Sequence, residues 1–229
     1  MVGKRDFDKV LVNLLRTHAD FLNLALIDAE GMPFSFAAKT RKYSMKPATL
    51  GSKTKLLLYL AKKFARNTEV PSPILQVFFF KKVAVLIINL KVINFFIIMN
   101  IKGWPPNGKV LYENILKIKK LLVKIEESKD ETLKSLFEGE HKQNYRISDI
   151  SDKFIKIIAK NINFLNQIQI NPNQVSPGGA SLKSGVESSY KDYFQGVFSP
   201  EHLLKGVIIQ ENGELLYKTP NTKEKVGAS

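Results

Sequence analysis

The chain of 229 residues contains no cysteine, one tryptophan, three histidines and few arginines. Zero cysteine excludes disulfides, thiol nucleophiles and thiolate metal sites, and it fits a cytoplasmic protein. His18, His141 and His202 do not stand at metal-ligand spacing. His18, near Asp20, reads as a helix C-terminal cation, and His202 in SPEHLL as a first-turn residue. There is no Gly-x-Ser-x-Gly elbow. The carboxylate pairs Glu126-Glu127 and Asp130-Glu131 lie in charged text and read as solvated. No acid, base and nucleophile can be assembled, so a non-enzyme without cofactor or metal is expected. MVGKRDFDKV has no apolar run of the signal-peptide kind, so the expected location is cytoplasmic, with a peripheral membrane location as the alternative.

Long uninterrupted apolar runs are also missing. VAVLIINLKVINFFIIMNI, from Val83 to Ile101, comes closest to one. A membrane helix needs about 20 apolar residues without a central charge. Lys91 sits in the middle, and Asn89, Asn94 and Asn100 punctuate the rest. The apolar residues are mostly β-branched or aromatic, which suits a pleated surface. From Ile74 onward the text divides into ILQVFFF, VAVLIINL and VINFFIIMNI, broken by Lys81-Lys82 and Lys91. Such short breaks predict three antiparallel strands in a meander, buried on both faces at the sheet centre.

What is abundant is lysine. The net charge is +14, hydrophobic residues make up 44% and charged residues 24%, an ordinary globular balance with a basic excess. The positive charges are spread along the chain, and abundant Lys, Ile and Asn are what an AT-biased codon pool produces. Arginine, the bidentate reader of phosphate and guanine, is scarce, so a basic nucleic-acid-binding module is a weak alternative. Weak contact with an anionic membrane or an acidic partner is the stronger expectation.

Along the chain, Phe7, Val10, Leu11, Leu14 and Leu15 form the stripe of an amphipathic helix. FLNLALIDAEGMPFSFAA follows as a hairpin around Asp28-Ala29-Glu30-Gly31. A second helix is predicted over about Thr49–Arg66, ended by NTEVPSP. The three strands come next, then the connector GWPPNG, then a helix marked by Val110, Leu111, Ile115, Ile118, Leu122 and Ile125. GWPPNGKV fits the spacing of a phosphate loop. However, Val110 replaces the required hydroxyl residue, and Pro105 and Pro106 remove two N–H donors, so it reads as a connector.

The expected fold class is α+β in αβα layers. A five-stranded, mostly antiparallel sheet runs in α-β-β-α-β-β-β-α order, with a C-terminal helix and β-hairpin extension. The expected organisation is a domain over 1–127, a charged linker over 128–147, an amphipathic helix over 148–169 capped by Ser148 or Asp149, a flexible linker over 170–200, and a hairpin and tail over 201–229. LLKGVIIQENGELLYK aligns without gaps on FLNLALIDAEGMPFSF, as a partial repeat of the first hairpin or a coincidence of generic hairpin text.

NLALIDAEGMPFSF, QVFFFKKVAVLIINLKVINFFIIMNI and NGKVLYENILKIKKLLVKI, in that element order, resemble the roadblock/dynein light chain family over about residues 4–127. Longin and profilin-like domains share related layers. The resemblance implies a sheet with the second helix on one face and the first and third on the other. It also implies a homodimer or heterodimer through the second helix and third strand, and a platform for a small Ras-like GTPase or for other roadblock-like subunits. On that basis Leu57, Leu60, Ala61, Phe64, Val77, Phe78 and Phe79 are the expected interface. An apolar strand on an open edge is an aggregation hazard unless it is covered, either by another chain or by this chain's own extension. Lys39, Arg41, Lys42, Lys46, Lys53, Lys55, Lys62, Lys63 and Arg66 flank the second helix and form a candidate basic patch; a solvated polar face is its plainer reading. A longin-type trafficking adaptor is the alternative function.

Overall fold

The computed structural model describes residues 3–28, 31–39, 74–127, 147, 150–164, 203–209 and 215–218. The second predicted helix, about 49–66, lies outside the described residues, as do most of the two linkers.

The first helix, α1 (Lys4–Thr17), buries Phe7, Leu11, Leu14 and Leu15, the apolar stripe. The Asp6 carboxylate accepts the Gly3 N–H at 3.0 Å and so satisfies a donor at the helix start. Strands β1 (Phe21–Ile27) and β2 (Pro33–Ala38) follow as an antiparallel hairpin. Its turn depends on two residues. Gly31 takes φ 83°, a left-handed conformation that glycine adopts without a Cβ clash. The Asp28 carboxylate accepts the Met32 N–H at 2.7 Å.

The three-strand meander is present as β3 (Leu75–Phe80), β4 (Val83–Asn89) and β5 (Asn94–Asn100), all antiparallel. The stretch that nearly had the length of a membrane helix is therefore two strands and a tight connection. Lys91 takes φ 69° in that connection, and the Asn89 side chain accepts its N–H at 2.7 Å. Among the described residues no helix is long and apolar enough to cross a membrane.

After a short 3-10 turn, Ile101–Gly103, comes α2 (Gly108–Glu126). Helix α3 (Asp152–Phe164) and strands β6 (Leu203–Ile209) and β7 (Leu215–Lys218) complete the described elements. At the start of α3 the Ser151 hydroxyl accepts the Phe154 N–H at 3.1 Å and caps the helix; the expected caps Ser148 and Asp149 lie outside the described residues.

The five-stranded antiparallel sheet expected from the sequence is present, and the C-terminal hairpin extends it. The strand order is β2-β1-β5-β4-β3-β6-β7. One row of paired residues crosses it, Ala37, Leu24, Ile97, Leu86, Val77, Val207 and Lys218, while the register shifts elsewhere in four of the six strand pairs, at Leu26/Ile27, Phe21/Asn23, Phe79/Phe80 and Ile208/Ile209. Helix α1 packs on β1 and β2 and against α2, and α2 packs against α3. The main core lies between these helices and one sheet face, where Leu24, Leu26, Val77, Leu86, Phe95 and Ile97 meet Phe7, Ile118, Leu122, Ile155 and Ile158. The alternate residues, on the other face, are buried too, including Ala25, Phe78, Ile87 and the polar Asn23 and Gln76. Burial on both faces explains why the strands read as nearly continuous apolar runs rather than as alternation.

Candidate functional site

The candidate site is the β3 edge, because an open edge is a row of unsatisfied backbone donors and acceptors. β3 pairs with β4 on one side, Leu75 opposite Ile88 through Phe79 opposite Ala84. On its other side it pairs with β6 of the same chain, Leu75 opposite Ile209 through Phe80 opposite Leu203, with an irregularity between Phe79 and Phe80. The edge that was expected to meet a second subunit is thus covered by the chain's own hairpin. This is the second of the two coverings that the sequence left open.

Of the expected interface residues, Leu57, Leu60, Ala61 and Phe64 lie outside the described residues. Val77, Phe78 and Phe79 are each fully buried. Their alternation sends Val77 and Phe79 into the core under the helices and Phe78 to the opposite face. Phe79 meets Trp104 edge to face, with ring centroids 4.9 Å apart. In this arrangement all three are interior residues of a strand paired on both sides, and none presents its side chain as a free surface.

Of the basic patch, only Lys39 is described. It is exposed at the end of β2, and its ammonium donates to the Ala19 carbonyl. Arg41, Lys42, Lys46, Lys53, Lys55, Lys62, Lys63 and Arg66 lie outside the described residues.

The loop with phosphate-loop spacing has a different occupation. The Asn107 side chain accepts the N–H groups of Lys109 at 3.0 Å and Val110 at 3.3 Å, satisfying donors that an anion would otherwise meet. Trp104-Pro105 is a cis peptide. A Cβ on Gly103 would run into the Asp20 side chain, so this glycine allows a close approach that the sequence did not signal. His18 caps the end of α1 and lies against Phe21 at 5.4 Å. Among the described residues no group of three or more His, Asp or Glu side chains could hold a metal ion.

Two carboxylates are held below their ordinary pKa. Asp152 is lowered chiefly by its hydrogen bond with the Lys119 ammonium, at 2.8 Å. Asp6 is lowered chiefly by the Gly3 N–H. Asp6 also pairs with Lys9 at 3.4 Å, and Lys156 and Lys120 add to the effect on Asp152; both contacts are ordinary surface ion pairs.

No family model matches the chain, and no curated protein does. Several solved structures are similar over about half of it. MglB of Myxococcus xanthus is 20% identical, over 54% of this chain and 90% of that one, with a TM-score of 0.43. A Roadblock/LC7 domain from Streptomyces avermitilis is 10% identical, over 52% and 97%, with a TM-score of 0.40. The gliding protein MglB of Thermus thermophilus is 16% identical, over 51% and 83%, with a TM-score of 0.37. At these identities and scores they say nothing of what this chain does. The order of its described elements and the strand order β2-β1-β5-β4-β3 come from the chain itself. So does the placing of α1 and α2 against each other.

Proposed function

We propose that the chain is a non-catalytic scaffold of the roadblock type, which binds a small Ras-like GTPase or assembles with other roadblock-like subunits through its sheet and helices. One observation carries this reading. The strand that ends the five-stranded sheet accepts a further antiparallel hairpin along Leu75–Phe80, so this edge is a working strand-pairing surface. The GTPase arm rests on the roadblock resemblance, which is analogy at the level of fold. In the hairpin-closed form the edge is already satisfied, and a second subunit pairing at β3 would have to displace β6. Assembly through this edge is therefore conditional on the hairpin.

The test uses the full chain and a Val207→Pro variant. Val207 stands opposite both Val77 and Lys218, in a strand paired on each side, where proline removes a ladder N–H and is poorly tolerated. Light scattering on a sizing column should give a monomer for the parent chain and a larger assembly for the variant. Titration of the parent chain against a panel of Ras-like GTPases, in GDP and GTP-analogue forms, should find at least one nucleotide-dependent binder. A variant that stays monomeric and folded, with no GTPase bound, would overturn the reading.

A further inference from the structure

A second surface stands apart from the β3 edge. Helix α2 exposes Lys117, Lys120 and Lys124, and helix α3 exposes Lys153, Lys156 and Lys160. Both sets follow the spacing i, i+3, i+7, which keeps three side chains on one helical face over about 10 Å of axis. The opposite faces of these helices are buried, through Leu111, Ile115, Ile118, Leu122 and Ile125 on α2 and Phe154, Ile155, Ile158 and Ile162 on α3. The two helices pack against each other on the same side of the sheet. Packed helices stand about 8–10 Å apart, roughly one Debye length at physiological salt. Lys120 of α2 and Lys156 of α3 both act electrostatically on Asp152, so the two rows come together there into one field.

The six lysines and Lys119 stand with four carboxylates, Glu113, Glu126, Glu127 and Asp152, which offset part of this field and leave it a surplus of three positive charges. Asp152 is bonded to Lys119 at 2.8 Å and is also drawn on electrostatically by Lys156 and Lys120. Glu113, one turn before Lys117, and Glu127, three residues after Lys124, lie on the lysine face of α2 by the same spacing, and Glu126 lies beside it at the C-terminal end.

We infer that the paired outer faces of α2 and α3 dock on an anionic lipid bilayer. Three features select that occupant. The charges are lysines without arginine, so the face lacks the planar forks that read phosphate and bases on nucleic acid. A specific protein partner is normally anchored by buried aromatic or aliphatic residues. The large exposed hydrophobic residues among those described are Val12 and Met32, on α1 and in the β1–β2 turn, and neither lies on α2 or α3. Two adjacent rods with outward lysines and no apolar anchor suit a diffuse negative plane, approached without insertion. Binding is then electrostatic and additive, about fivefold in partition for each lysine, from roughly 1 kcal/mol per basic residue at an anionic surface.

The experiment is co-sedimentation of the full chain with vesicles of phosphatidylcholine alone and of phosphatidylcholine with about 30% phosphatidylserine, a strongly anionic surface. The parent chain should bind the anionic vesicles alone and release between about 0.1 M and 0.5 M salt. The triple variant K117A/K120A/K156A should lose roughly a hundredfold in partition. The control K81A/K82A/K102A removes the same charge from exposed positions off these two helices and should lose much less. All six positions are exposed, so both variants should keep the parent melting temperature. Equal losses in the two variants would assign the effect to net charge and overturn the assignment to this face. Binding to neutral vesicles, or no binding to anionic ones, would overturn it outright. So would preferential capture by duplex DNA or by an acidic polypeptide at the same salt.

Discussion

Phe79 offers the sharpest test of how β3 is used. Its side chain is fully buried, its ring meets Trp104 edge to face at 4.9 Å, and its backbone lies between Ala84 and Lys205. Phe79→Ala removes a large core side chain, which costs about 3–5 kcal/mol including the cavity left behind. The lost edge-to-face pair belongs to the upper part of that range, being worth about 0.5–1.5 kcal/mol. For a chain of this size, 1 kcal/mol corresponds to about 2–4 °C in Tm. The expected shift is therefore on the order of 6–20 °C downward, out of a total stability of about 5–15 kcal/mol. The assay is thermal unfolding by circular dichroism over a hundredfold range of protein concentration. A core residue in a self-covered strand predicts a large loss that does not depend on concentration. An interface residue predicts a parent Tm that rises with concentration and a variant that no longer does so. A shift below about 2 °C, or a concentration-dependent parent Tm, would refute the placement of Phe79 as an interior residue of the single chain.

Other outcomes can be checked on the same instruments. Asn107→Ala removes the side chain that accepts from Lys109 and Val110, and should cost about 1 kcal/mol and a few degrees in Tm. Gly103→Ala drives a Cβ into Asp20 and should cost about 1–3 kcal/mol, with Asp20→Gly in the same chain restoring part of the loss. Asp152 has a folded pKa depressed by Lys119, so its contribution is present above the unfolded value of about 3.9 and is lost as pH falls through the lower folded value. Asp152→Asn should accordingly lower Tm slightly at neutral pH, and the difference from parent should shrink as pH falls below about 3.9; a difference that does not change with pH would contradict the pairing.

The fold was legible where the information is local. β-branched residues with Lys91 at the centre excluded a membrane helix and indicated strands, and the structure places Lys91 in the connection between β4 and β5. Gly31 marked the first turn, and the apolar stripes marked α1 and α2. The use of the β3 edge was not legible. Val77, Phe78 and Phe79 carry the composition of a buried strand whichever neighbour covers them. The choice between a second copy and β6 depends on a pairing with residues far away in the chain. The basic face was only half visible, because helical periodicity places Lys117, Lys120 and Lys124 together but cannot place α3 beside them. The close approach of Gly103 to Asp20 had no sequence signal beyond the glycine itself.

The covering of β3 by β6 has a consequence in time as well as in space. Leu75 pairs with Ile209, so 134 residues must be synthesised after the first strand position before its partner exists. At about 5–20 residues per second, the ribosome needs roughly 7–27 s for that span. Strand pairing itself takes microseconds, so β3 and its nearer neighbours can assemble long before β6 is made. A nascent chain therefore spends seconds with its apolar third strand bare on one side, and chains growing on the same message are each other's nearest source of a matching hairpin. Translation speed then sets how long the third strand waits for the hairpin that covers it.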